Sequence, residues 1–277
     1  MANLDYSAQF TIQDLMDLRV HFGHKIGSLN PKMRDYVFGT KNGISIIDVR
    51  KTYTSAMRAM DYCYKCGKTN KKILFVGTAP QIAPIVKEYA EKCGQFYVTD
   101  RWLGGILTNW YTVSKSIKTL ISHNKALEDP ENNLTKKEIV TLTKKRDKLM
   151  ASFGGLMNLR GHPDLVIVLN TKVDYLAVKE AVSLGIPTIA LVDTNVDMDN
   201  ITYPIASNDE SSAIARFFCN EFAKAILAGS QETTKEAGLD MAKALKMKTA
   251  KEKVEEKEEK NNNSKEDKQE QENAENE

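Results

Sequence analysis

Short, continuous apolar runs alternate along this chain with longer segments in which apolar residues recur every three or four positions. The runs are Ile44–Asp48, Ile73–Val76, Phe96–Val98, Leu165–Leu169, Thr188–Val192 and a last extended piece near Tyr203–Ala206. Ile73–Val76, apolar at every position, is typical of a strand covered on both faces. Between the runs lie single-faced helical segments: Thr52–Cys66 closing at Gly67, where a left-handed cap costs little, then Ile82–Cys93 ended by Gly94, and Tyr175–Leu184 followed by Gly185. A last one carries Ile214, Phe217, Phe218, Phe222 and Ile226 on one face. A short amphipathic helix opens the chain within Thr11–Val20, with Thr11 as its cap. Repeated strand–helix–strand units predict an α/β domain of flavodoxin-like, doubly wound type, with a mostly parallel sheet and helices on both sides.

Two stretches break this rhythm. Ile106–Phe153 is polar, lysine-rich and helical, with Val113, Ile117, Leu120, Asn124 and Leu127 at spacings of four and three, and Ile139, Leu142, Arg146, Leu149 and Phe153 at three and four. Folded about a midpoint near residue 133, the two series fall into matching antiparallel register, and Asp129-Pro130 with Asn132-Asn133 supplies a turn. An inserted antiparallel coiled-coil helical hairpin, projecting from the sheet domain, is the expectation. From about Ser230 the chain turns to Lys, Glu, Asn and Gln, too polar to offset the cost of ordering, which predicts a disordered C-terminal tail. The domains expected are therefore 1–105 and 154–229 as two parts of one α/β domain with an N-terminal helix, 106–153 as the hairpin, and 230–277 as the charged tail.

Composition narrows the function. With 277 residues, 42% of them hydrophobic, the chain can bury a sizeable core without disulfides. No apolar run approaches the ~20 residues that span a bilayer, and Met1–Phe10 lacks a basic region followed by an apolar core, so neither membrane insertion nor secretion is expected. Cys63, Cys66, Cys93 and Cys219 are few for the length, as in a reducing, cytoplasmic setting. The net charge of +2 hides an asymmetry: Lys251–Glu277 carries 6 lysines against 11 carboxylates, a net of −5, which leaves +7 on the body. A basic body with an acidic tail ranks a polyanion first among partners.

Catalytic signatures are thin. The turn Val76-Gly77-Thr78-Ala79-Pro80 reads either as a one-phosphate seat on helix amides or as a helix start with Pro80 in its first turn, and it lacks the glycine spacing of a nucleotide loop. Cys63-Tyr64-Lys65-Cys66 stands alone near a helix end, where the dipole disfavours a thiolate; the thiols read as small apolar residues. Asp193, Asp197 and Asp199 follow a strand and suit either a divalent ion or aspartate turns. His21 and His24 are separated by a helix-weakening Gly23 and lack a third ligand. No metal or cofactor is expected, and the alternative function is a flavodoxin-like phosphometabolite or nucleotide-binding enzyme using the Gly77-Thr78 turn.

The most unusual chemistry sits at Thr99-Asp100-Arg101-Trp102-Leu103-Gly104-Gly105-Ile106-Leu107-Thr108-Asn109, between a strand and the hairpin. A cation, an indole and adjacent glycines suit a surface that another backbone approaches closely, although Trp102 also reads as a core anchor and the glycines as a hinge. Lys32, Arg34, Lys41, Arg50 and Lys51, then Lys115, Lys118, Lys136, Lys137, Lys144, Lys145 and Lys148 on the hairpin, are cations suited to phosphate contact or to a solvated helix face. No helix-turn-helix or finger spacing occurs, so RNA is expected and DNA is not.

Several motifs together give the chain a specific likeness. Val20-His21-Phe22-Gly23-His24, Asn30-Pro31-Lys32-Met33, Ile73-Leu74-Phe75-Val76-Gly77-Thr78, Arg101-Trp102-Leu103-Gly104-Gly105 with Leu107-Thr108-Asn109-Trp110, Leu134-Thr135-Lys136-Lys137-Glu138, Gly185-Ile186-Pro187 and Val192-Asp193-Thr194-Asn195 resemble the bacterial branch of the ribosomal protein S-two family, over about Thr11–Gly229. The resemblance implies a structural constituent of the small ribosomal subunit. Its implied partners are small-subunit ribosomal RNA and neighbouring ribosomal proteins, with support for recruiting protein S-one. Carried onto this sequence, it implies RNA-binding positions at His21, Gly23, His24, Asn30, Pro31, Lys32, Arg101, Trp102, Gly104, Gly105, Thr108 and Asn109. The tail beyond Ser230 lies outside the shared pattern.

Overall fold

A computed structural model describes residues 5–6, 9–128 and 135–234. The expected hairpin turn at 129–134 and the tail from 235 onward lie outside the described residues. The chain divides into Met1–Ser230, whose architecture follows, and Gln231–Glu277, of which 231–234 are helical.

Five strands form a wholly parallel sheet: β4 (Ile73–Val76), β5 (Phe96–Val98), β6 (Leu165–Val168), β7 (Thr188–Val192) and β8 (Tyr203–Ala206), in the order β5-β4-β6-β7-β8. Relabelled by first appearance this is 2-1-3-4-5, the doubly wound order of flavodoxin. Strand side chains alternate between two buried faces, which is why the runs read as continuously apolar. Ile73, Phe75, Leu165, Ile167, Ile189, Leu191 and Ile205 join one core with α2 (Val49–Lys68), α3 (Ala83–Lys92) and α7, which starts at residue 212. Leu74, Val76, Val166, Val168, Ala190, Val192 and Ala206 join the other, with α6 (Tyr175–Ser183), Trp102, Ile106 and Leu107.

Ile44–Ile47 does not belong to this sheet. As β3 it is the centre of a separate antiparallel sheet, β1-β3-β2, with β1 at Phe22–Lys25 and β2 at Val37–Lys41. Phe22 pairs with Ile46, and Thr40 with Ser45, with an irregularity in each flanking strand. The opening helix α1 (Ile12–Asp17) starts with a reciprocal capping box between Thr11 and Asp14.

Gly67 is not a helix cap. α2 continues past it to Lys68, and Asn70 takes the left-handed conformation, at φ +50°. The glycine is needed because a Cβ there would run into the backbone carbonyl of Ile226 on α7. Cys63, Cys66, Cys93 and Cys219 are free and buried, and burial raises the pKa of each thiol.

Beyond β5 the chain enters α4 (Trp110–Glu128) and α5 (Lys136–Phe153), which pack on each other. Val113, Ile117, Leu120 and Phe153 are buried near the sheet, whereas Leu142 and Leu149 are half-buried and Ile139 is exposed. Burial thus fades along the pair with distance from the sheet domain. None of the described helices is long and apolar enough to cross a membrane.

Candidate functional site

The expected site residues separate into two groups. The first is the loop from Arg101 to Asn109, which leaves the carboxyl end of edge strand β5. Trp102 is 6% exposed and packs in the second core. Its indole Nε1–H donates to Glu180 Oε1 at 3.1 Å, and the Gly105 amide donates to the same oxygen at 2.7 Å. Glu180 Oε2 accepts from the Leu107 and Thr108 amides at 2.9 and 3.2 Å and from the Thr108 hydroxyl at 3.3 Å. Burial opposes the charged form of Glu180, yet these donors outweigh it and hold the carboxyl below its ordinary range.

Gly105 has φ +92°, a left-handed conformation that admits glycine without strain, and this turns its amide toward the carboxylate. Gly104 has no such internal reason, since a Cβ there would meet nothing within 4 Å. Arg101, Gly104, Thr108 and Asn109 are exposed, and Arg101 has no ion pair among the described residues.

The second group is the segment from His21 to Lys32, which lies over the carboxyl ends of β7 and β8. Gly23 permits that approach: a Cβ would sit 2.5 Å from Thr194 Cγ2, and the neighbouring His24 amide donates to Thr194 Oγ1 at 2.9 Å. His24 places Nδ1 2.9 Å from Asp193 Oδ2 and Nε2 3.3 Å from Glu210 Oε1. Asn30 accepts the Lys32 amide with its side chain, fixing the 3-10 turn Pro31–Tyr36 with Pro31 at its start, while its own amide donates to the Thr194 carbonyl at 2.9 Å. Lys32 Nζ bridges Asp197, at 2.8 Å, and Asp199, and these carboxylates keep its ammonium protonated to higher pH than usual. His21 is half-buried and packs against Phe22 with ring centroids 4.3 Å apart and planes tilted by 37°; burial lowers its pKa.

The aspartates after β7 therefore act as ion-pair partners for the N-terminal segment. Among the described residues no group of three or more His, Cys, Asp or Glu is arranged to hold a metal ion. Two carboxylates here, Asp193 after β7 and Asp209 after β8, are unusual. Burial raises the pKa of Asp193, against hydrogen bonds from Thr194 and the nearby His24. Asp209 is pushed up to about 7, first by burial and then by the charge of Asp193, and its Oδ2 has no hydrogen-bond partner.

In a doubly wound sheet, ligands bind where the strand order reverses, here beyond β4 and β6. That place holds the Gly77-Thr78 turn, and its anion-accepting groups are already taken. The Thr78 amide and hydroxyl donate to Asp174 Oδ2 and Oδ1 at 3.1 and 2.7 Å. A phosphate arriving there would meet a carboxylate in its seat, which removes the phosphate cradle on which the enzyme reading relied. Millimolar phosphate and phosphorylated sugars are accordingly expected to leave the melting temperature unchanged in a thermal-shift assay, because a ligand binding only the native state must raise it. A rise of several degrees would restore the enzyme reading.

Sequence reasoning found the loop but missed its anchor. Glu180 sits in a helix beside Lys179, where a carboxylate reads as solvated, and only its place one turn after the buried Ala177 hinted at an inward position.

The comparisons with known proteins agree with this architecture. Residues 15–229 match the family described as ribosomal protein S2. The chain is 46% identical over 232 residues to the small ribosomal subunit protein uS2 of Rickettsia massiliae and to that of Rickettsia typhi, covering 83% of this chain and 79% of each relative. Identity to the uS2 protein of Rickettsia prowazekii is also 46% over 232 residues, or 83% of this chain and 78% of the relative. The chain belongs to the ribosomal protein S2 family.

Proposed function

We propose that the chain binds small-subunit ribosomal RNA by phosphate contact and shape, through the outer side of the Arg101–Asn109 loop and through the His21–Lys32 segment. Its family role is structural: it is a non-catalytic component of the small ribosomal subunit, which in bacteria lies in the cytoplasm. The observation that carries the RNA reading is a loop whose amides turn inward to Glu180 while an unpaired arginine and an unobstructed Gly104 face outward. An exposed arginine close to an unobstructed glycine suits close approach by a sugar-phosphate chain.

Within the twelve positions, Arg101, Gly104 and Asn109 are assigned to contact, with Lys32 once RNA phosphate competes for its ammonium. Trp102, Gly105, Thr108, Gly23, His24, Asn30 and Pro31 shape the surface, and His21 lies at its edge. Protein neighbours, protein S-one among them, are assigned to the small antiparallel sheet. There Phe38, on β2, is 74% exposed, an apolar display better matched to protein than to RNA. The boundaries 1–105, 106–153 and 154–229 and the coiled-coil hairpin as a projecting arm belong to the same reading; the tail expected from 230 is helical over 230–234, and the rest of it lies outside the described residues.

Ultraviolet crosslinking of intact small subunits, with the crosslinked peptides mapped, tests the assignment. Peptides containing Arg101–Asn109 and His21–Arg34 are expected to carry RNA adducts. Adducts confined to other parts of the chain would refute it.

A further inference from the structure

Glu180 is the most heavily hydrogen-bonded side chain near the loop, and neither motif nor spacing drew attention to it. Five donors from four residues converge on a carboxylate that is 9% exposed. No lysine or arginine forms an ion pair with it among the described residues. A buried charge without a counter-ion is tolerated only when its lone pairs are filled by hydrogen bonds, and here the loop backbone fills them. The helix holding it is fixed by Ala177, Val178 and Ala181 in the core, so the carboxylate is a stationary point around which the loop is wrapped.

We propose that Glu180 is the positioning residue of the proposed RNA-binding loop, its carboxylate acting as a built-in anion that draws the loop amides inward and so turns Arg101, Gly104 and Asn109 outward. The inference rests on the RNA reading above. Without the charge, the amides of Gly105, Leu107 and Thr108 lose their common acceptor and turn to water. The loop must then be ordered at the moment of binding, and affinity falls by that ordering cost even though no group touching RNA has been removed. A carboxylate that served only to pack α6 would not require donors at both oxygens.

The test is Glu180→Gln in the full-length protein, an isosteric change that keeps an acceptor but sets an amide group among donors. Hydrogen exchange is followed at residues 105, 107 and 108 and at the Trp102 indole, alongside filter binding to in vitro transcribed small-subunit ribosomal RNA. At least tenfold faster exchange in the loop is expected, with strands β4 and β6 unchanged and RNA affinity about tenfold weaker. Loop protection in the wild type, measured relative to the intrinsic exchange rate at each pH, should also fall on acidification as the carboxylate takes a proton, whereas the Gln variant should lack this step. Wild-type exchange and affinity in the variant would overturn the proposal, and so would a loosened loop with undiminished affinity. Should the Gln variant fail to fold, Thr108→Val removes only the hydroxyl donor, and about threefold effects in the same direction are required of it. Wild-type protein that does not bind the RNA would sink the RNA reading by itself, while the exchange data would still report whether Glu180 shapes the loop.

Discussion

Trp102→Ala is expected to destabilise the free protein by about 3–5 kcal/mol, the range for removing a large buried aromatic side chain. The indole fills space among Ile106, Leu107 and the other side chains of the second core, so its removal leaves a cavity that the parallel sheet and α6 are too rigid to close. It also strips one donor from the Glu180 carboxylate. Trp102→Phe separates these two contributions: the ring remains, the N–H is lost, and about 1–3 kcal/mol should be forfeited as the cost of an under-satisfied buried charge. Urea unfolding of both variants decides the matter. A tryptophan used as a stacking platform for a base would behave in the opposite way, with free-protein stability held within about 0.5 kcal/mol and RNA binding weakened.

The outcome bears on how the proposed RNA contact would be built into the loop. Arg101 and Trp102 are adjacent, yet the indole is an inward anchor and the cation is exposed. The sequence alone left both readings open for Trp102, because an aromatic beside a cation occurs at interfaces and in cores alike. What decides between them is the carboxylate of Glu180, far along the chain and in the middle of a helix.

The same distance limits explain what else was legible. β4, β6 and β7 could be read directly because a strand buried on both faces is apolar at every position, and α3 because its stripe follows the helical repeat. β1 and β2 escaped notice. Each is short, contains a glycine and mixes polar with apolar side chains, which leaves no alternation to detect. β3 was visible as a strand but was assigned to the wrong sheet, since three isoleucines around one serine do not reveal which strand they pair with. Gly67 looked like a cap because the chain cannot display that Ile226 lies against it. The ion pairs of His24 with Asp193 and of Lys32 with Asp197 join residues more than 160 positions apart, so that neither the histidine nor the aspartates could be assigned locally.

The second large effect lies after β8, near His24 of the N-terminal segment, and it depends on pH. Asp209→Asn is expected to raise stability at pH 8 by on the order of 2–4 kcal/mol and to change it little at pH 4. Asp209 is 3% exposed, has a carboxylate oxygen without a partner, and lies near the charge of Asp193; its pKa is raised from 3.8 to about 7. Below pH 4 the group is protonated in the folded and unfolded chains alike and contributes nothing to the difference. Between about pH 4 and 7 the unfolded chain releases the proton while the folded chain keeps it, so stability falls as pH rises. Above pH 7 both are ionised and the loss is complete. Asparagine has no proton to release and no charge to repel Asp193, so this part of the decline should vanish. Urea unfolding of both proteins across pH 4–8 gives two curves that meet at the acid end and separate with rising pH. His24, between Asp193 and Glu210, offsets part of the repulsion in the wild type, so His24→Ala should steepen the decline that Asp209→Asn removes. Parallel curves for the wild type and Asp209→Asn across the whole range would mean that Asp209 titrates as an ordinary carboxyl, and that the segment from His21 to Lys32 is held over the sheet without a proton-dependent cost.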